Sequence, residues 1–278
     1  MLYMHILRIK CEVQAQGNLL SERRNPSDVI SESIRATPTA QVGRGSEWHV
    51  GNVESVDDGI AFAMGRTALV TAPQFDQVAH SFREEEVERA PFTFGVFDPI
   101  TQSCGVLRKG GVSQSAREIA TKLGLLLNAA GLAAKANSYI SVDPVPDPTN
   151  FLKSIGEAYA ITRFIFTVSR PNPHDVNKLI QRPAQEFTLL TNGIMTKVEV
   201  DGDKLDQGVL QETTNAIAAS GDYASADIRL NEGDRTKRIY LRGSPLLEPV
   251  EDAGTTGLFK NILDGARIAY ARVRRSDQ

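Results

Sequence analysis

Ser169, His174 and Asp175 lie close together in the segment TRFIFTVSRPNPHD (Thr162–Asp175), and they are the residue types of nucleophilic catalysis. That chemistry needs a base within hydrogen-bond reach of the hydroxyl and a third group that orients the base. Adjacent His and Asp side chains do not usually point at each other, so His174-Asp175 is no dyad by adjacency. A hinge accounts for more of the segment. Pro171 and Pro173 lack backbone N–H groups and end a strand cleanly. Asn172 suits a helix N-cap, with Pro173 at the first helical position. Asp175 would then face the positive end of the helix dipole.

A second candidate is LRKGGVSQSAREIA (Leu107–Ala120), where a strand gives way to Arg108-Lys109, two glycines and a helix capped by Ser113 or Ser115. Free N–H groups at a helix start accept an anion, and glycines let a phosphate approach the backbone. The GxxxxGK[ST] spacing of a nucleotide-triphosphate loop is absent. GRGS (Gly43–Ser46) reads as a flexible loop.

Cations also gather near the C-terminus. Arg235, Lys237, Arg238 and Arg242 crowd one hairpin, and Arg267, Arg272, Arg274 and Arg275 decorate the last helix. Grouped Lys and Arg are the footprint of phosphate binding, although Asp227, Glu232, Asp234 and Asp264 are interspersed. No aromatic ladder accompanies them, so binding would use the backbone and ignore base identity. Asp201-Gly202-Asp203 could ligate a hard cation but lacks the oxygen spacing and closing Glu of an EF-hand. The histidines (His5, His49, His80, His174) show no metal-binding spacing. Neither a metal site nor a cofactor is expected.

These residues need elements to hold them. Residues 2–15 read as a strand and residues 17–46 as irregular, with a short helix over Ser27–Ile34. Trp48–Val56 and Ile60–Met64 flank Asp57-Asp58-Gly59 as a hairpin. The charged stretch Phe75–Arg89 reads as a solvated helix using Val78, Phe82 and Val87. Phe92–Phe97 and Cys104–Leu107 form a second hairpin. Ser115-x-x-Glu118 is a capping box that starts a helix with Ile119, Leu123, Leu126 and Leu127 on one face. Tyr139–Val142 is a short strand, and the proline-rich Asp143–Thr149 breaks regular structure.

Phe151–Ala160 reads as a helix, Ile161–Val168 as a buried strand, and Pro173–Leu190 as a helix broken at Pro183. Met195–Val200 is a strand and Asp206–Ala219 an amphipathic helix. Tyr223–Leu230 and Lys237–Leu241 pair around NEGD (Asn231–Asp234). Gly257–Val273 closes the chain as a helix with Leu258, Phe259, Ile262, Leu263, Ala266, Tyr270 and Val273 on one side. The expected fold class is α+β: N-terminal hairpins with a packed helix (1–142), a Pro-rich linker (143–150), and a C-terminal α/β layer ordered strand–helix–strand–helix–hairpin–helix (151–278).

A chain of 278 residues has room for one large or two ordinary cores. The net charge of −3 leaves no global basic field, so a nucleic-acid site must be a local patch. The two cysteines, Cys11 and Cys104, are far apart and read as small buried apolar residues, with no disulfide framework. MLYMHILRIK is too short for a membrane span and lacks the pattern of a signal peptide, so the expected compartment is the cytoplasm.

The segment FTFGVFDPITQSCGVLRKGGVSQSAREIATKL (Phe92–Leu123) resembles phage lambda RexA-like exclusion proteins. The shared pattern is an aromatic strand, a short turn, a second strand ending near a glycine, and a Ser/Thr-started apolar helix. FIFTVSRPNPHD and ASADIRLNEGD are similar to an uncharacterised bacterial family of prophages and defence neighbourhoods. The resemblance implies a cytoplasmic homodimer that binds DNA without strong sequence preference and senses an infection-linked complex. It would signal to a membrane or effector protein encoded nearby. No catalytic motif carries over. The residues expected to contact DNA phosphates are Arg108, Lys109, Arg235, Lys237, Arg238, Arg242, Arg272, Arg274 and Arg275. One alternative is a metal-dependent nuclease of a defence system using Asp201 and Asp203; another is a protein-interaction module presenting the terminal helix.

Overall fold

The computed structural model describes residues 1–13, 24–42, 46–112, 114–169, 181–191, 193–241 and 244–274. They form an α+β protein built on two antiparallel sheets. The first half of the chain runs β1 (Leu2–Val13), α1 (Pro26–Arg35), β2 (Thr39–Gln41), β3 (Glu47–Val56), β4 (Gly59–Asp76), β5 (Ser81–Arg89), β6 (Phe92–Asp98), β7 (Ser103–Leu107), α2 (Ala116–Ala129), α3 (Leu132–Lys135) and β8 (Ser138–Pro144). The second half runs α4 (Thr149–Gly156), β9 (Ala160–Ser169), α5 (Gln181–Leu190), β10 (Met195–Asp201), α6 (Gln207–Ala219), β11 (Ala224–Arg229), β12 (Lys237–Tyr240), β13 (Leu247–Val250) and α7 (Gly254–Arg274).

The larger sheet is ordered β13-β1-β7-β6-β4-β3-β2, with β8 also pairing β1 and β5 pairing β4. The smaller is ordered β10-β9-β11-β12. Alternation along β1 separates two cores. Leu7, Ile9 and Cys11 join Trp48, Phe62, Phe97 and the apolar faces of α1 and α2. Met4 and Ile6 point the other way, into a core shared with α7, α6 and the inner face of the smaller sheet. Ser115 is the N-cap of α2: its hydroxyl accepts the Glu118 backbone N–H at 3.4 Å, and Ile119, Leu123, Leu126 and Leu127 are buried. All seven apolar residues expected on the face of α7 are buried as well.

Several expectations change. Phe75–Arg89 contains no helix; β4 runs beyond the sheet to Asp76 and returns as β5, in register from Ala68↔Arg89 to Asp76↔Ser81. The helical spacing of Val78, Phe82 and Val87 is overridden because the long β4 supplies a cross-strand partner for every β5 residue. Pro183 is the third residue of α5, in its first turn, and residues 173–180 of the expected helix are outside the described residues. The chain from Leu247 onward returns to the larger sheet. There β13 pairs with β1, and Glu248 sits opposite Met4; α7 buries its stripe against the same sheet. Within the proline-rich stretch, β8 extends to Pro144, Pro146 bridges Pro245, and α4 begins at Thr149.

Candidate nucleic-acid interface

The ribbon β4–β5 leaves the larger sheet beside the turn that follows β7. Gly65 permits this, because a Cβ there would meet the Pro91 carbonyl oxygen at 2.6 Å and the Phe92 Cβ at 2.7 Å. The Arg66 N–H then donates to the Pro91 carbonyl at 3.1 Å. A cleft of about 670 Å³ opens at the ribbon base, lined by Arg66, Arg89, Val70, Pro91 and Gly111 among others. The Lys109 ammonium lies 4.6 Å from the centre of the ring of Phe92, the neighbour of Pro91, a cation–π contact, and the lysine is exposed. Arg108 is exposed one residue earlier; its backbone N–H donates to the Tyr3 carbonyl at 2.8 Å and its guanidinium to Gln114 Oε1 at 3.1 Å. The glycine loop that follows Lys109 thus lends Gly111 to the wall of a cleft that also contains two arginines. Arg66 and Arg89 had no sequence signal as a pair, because only the Ala68↔Arg89 register of the ribbon brings them together.

The second cationic group stands on the smaller sheet. Its outer face carries a charge row across four strands: Asp201 opposite Arg163, Arg163 opposite Asp227, and Asp227 opposite Arg238. Arg238 donates twice to the Asp227 carboxylate, at 2.6 and 2.7 Å, and thereby holds that carboxyl below its usual range. Arg163 pairs with Asp201 at 2.5 Å and Glu199 at 3.2 Å. Arg238 is therefore engaged within the sheet, and Asp201 already holds a guanidinium. Asp203 is exposed beyond β10. Among the described residues, no three or more His, Cys, Asp or Glu side chains converge as a metal site. Arg229, Arg235 and Lys237 are exposed on the β11–β12 hairpin, with no ion pair among the described residues.

On α7, Arg272 pairs with Glu248 of β13, and Arg274 sits half-buried in the last turn, where a cation complements the helix dipole. Arg267 bridges Asp58 and Asp98, each at 2.7 Å. Arg242, Arg275, Ser113 and the catalytic or hinge candidates Pro171, Asn172, Pro173, His174 and Asp175 lie outside the described residues; Ser169 ends β9. Both cysteines are buried and free, and burial pushes the Cys104 thiol far up, as expected of small apolar residues. No helix among the described residues is long and apolar enough to cross a membrane. No protein-family model and no curated protein sequence matches the chain.

Proposed function

We propose that this protein binds duplex DNA through its phosphate backbone, largely without sequence preference, as a cytoplasmic phage-exclusion protein that passes a signal to a partner. The observation that carries the reading is the cleft at the ribbon base, where Arg66 and Arg89 line the wall together with Gly111 of the loop that follows Lys109. Cations held on a concave wall of an otherwise mildly acidic chain focus their field on a polyanion. The resemblance of Phe92–Leu123 to RexA-like exclusion proteins supports the biological setting, since that segment contributes Lys109 and the loop at Gly111.

The test is duplex-DNA binding by fluorescence anisotropy across a salt series. Each phosphate contact contributes about 0.9 to the slope of log affinity against log salt, so Arg66→Ala/Arg89→Ala/Lys109→Ala should flatten it by about 2.7. Weakening should be uniform across DNA sequences. Arg238→Ala should leave the slope unchanged, because Asp227 already neutralises that guanidinium. A wild-type chain that leaves duplex DNA unbound at about 50 mM salt, where this attraction is strong, overturns the reading.

A further inference from the structure

Strand register runs unbroken from the larger sheet into the β4–β5 ribbon, from Gly65↔Phe92 to Ala68↔Arg89. Directly opposite residues of an antiparallel pair share a face, as do alternate residues along each strand. Arg66, Ala68, Val70 and Ala72 of β4 therefore share one face with Arg89 and Pro91. That face is covered: Arg66, Ala68 and Val70 are half-buried and Ala72 is buried, whereas Leu69 and Thr71 on the reverse are exposed. It forms the floor of the 670 Å³ cleft, and Gly111 stands at its side, where an added Cβ would lie 3.8 Å from the Pro91 Cβ. Arg66 and Arg89 are diagonal neighbours on the floor, about 7–8 Å apart at the backbone, so one phosphate can lie between their guanidinium groups. The Arg66 Nε is buried and has no hydrogen-bond partner among the described residues. A buried donor left without an acceptor is costly, and an anionic oxygen in the cleft would satisfy it. Apart from the two arginines and Thr71, the side chains lining the cleft are apolar.

We propose that the cleft takes an unpaired nucleotide of the bound DNA, its phosphate between Arg66 and Arg89 and its base on the apolar floor of Ala68, Val70 and Pro91. This rests on the DNA-binding reading and deepens it. Two observations select a single nucleotide over a stretch of duplex. The volume of the cleft is that of a small-molecule site. Its floor is apolar, and a base within a duplex hides both faces in the stack, so only an unpaired base can lay a face on it. The small side chains of Ala68 and Ala72 leave the depth that a flat ring needs. An apolar floor contacts every base alike, so the preference is for unpaired nucleotides and not for a sequence. The floor thus does the work of the aromatic ladder that the sequence lacks.

Competition against a labelled single strand tests this on the full chain. The unlabelled competitors are a covalently closed circular duplex, the same circle with a short gap in one strand, and that gapped circle with its unpaired nucleotides stripped of their bases. The gapped circle should compete about tenfold better than the closed one, as one base seated on the protein would give. The base-free gap should lose this advantage. A linear duplex with single-stranded overhangs should match the gapped circle, because an end and a gap present the same unpaired nucleotide. Ala68→Phe fills the floor, and Gly111→Trp, in an exposed turn with room for a Cβ, narrows the cleft from its side. Neither alters a charge, and each should abolish the advantage with unchanged circular dichroism. A wild type that binds gapped and closed circles equally, a base-free gap that competes as well as the intact one, or an advantage that survives both variants overturns the proposal and leaves the duplex reading standing. A closed circle that fails to compete while the gapped one succeeds defeats the duplex reading and leaves the nucleotide in the cleft.

Discussion

Asp98 shows how a single residue ties the last helix to the first half of the chain. Its side chain is fully buried, and it accepts from Thr101 Oγ1 at 2.5 Å and from the Arg267 guanidinium at 2.7 Å. Burial alone would raise this carboxyl; Arg267, Thr101 and the Ile100 N–H outweigh it and hold the group below its usual range. A carboxyl with a lowered folded pKa binds its proton less readily than in the unfolded chain. Its stabilisation is therefore present above the ordinary carboxylate value and is lost as pH falls through the folded value. Removing one partner of a buried pair is costly, so Arg267→Ala should lower the unfolding free energy at neutral pH by about 3 kcal/mol in urea titrations. The deficit relative to wild type should shrink below about pH 4, where carboxyl groups of ordinary affinity take up their protons. The sequence placed Arg267 among cations available to a polyanion; the fold commits it to Asp58 and Asp98.

At the scale of elements, α7 and β7 fit closely. A Cβ added at Gly105 would meet Ile262 Cγ2 at 2.8 Å and Met4 Sδ at 2.9 Å. Gly105→Ala therefore forces α7 away from the sheet, at a cost of about 1–3 kcal/mol as for other overpacked cores; thermal denaturation should show the loss. Where an element carries its own start signal, as in α2 with Ser115 and Glu118, or its own apolar period, as in α7, the chain alone was sufficient to place it. The β4–β5 ribbon is the counterexample. Its charged residues suit a solvated helix locally, and only the overlong β4 supplies the hydrogen-bonding partner that makes it a strand.

For the molecule as a whole, Lys10 joins the parts. It sits on β1, almost fully buried, with Asp143 of β8 at 3.3 Å and Asp222, between α6 and β11, at 3.4 Å. Burial acts to lower this ammonium, but Asp222, Asp143 and Glu12 together hold it above its ordinary value. A lysine with a raised folded pKa contributes stability that is complete below its unfolded value and is lost as pH rises through the folded one, hence above about pH 10.4. Lys10→Met leaves two carboxylates without their shared cation and should cost about 3–5 kcal/mol in chemical denaturation. That deficit should narrow in strongly alkaline solution, where Lys10 of the wild type loses its proton.

The sequence by itself determined the α+β class, most helices, both early hairpins and the inward faces of α2 and α7, because these follow from side-chain period and capping chemistry within a short window. It also singled out Arg108 and Lys109 through the glycines that follow them. The tertiary structure alone decided which cations remain available. Asp227 and Glu248 neutralise Arg238 and Arg272 across neighbouring strands or elements, whereas Arg66 and Arg89 share one cleft only once the ribbon has paired. It alone also returned β13 and α7 to the first sheet. Contacts of this kind are set by strand register and packing over long sequence separation, which no local pattern of residue types encodes.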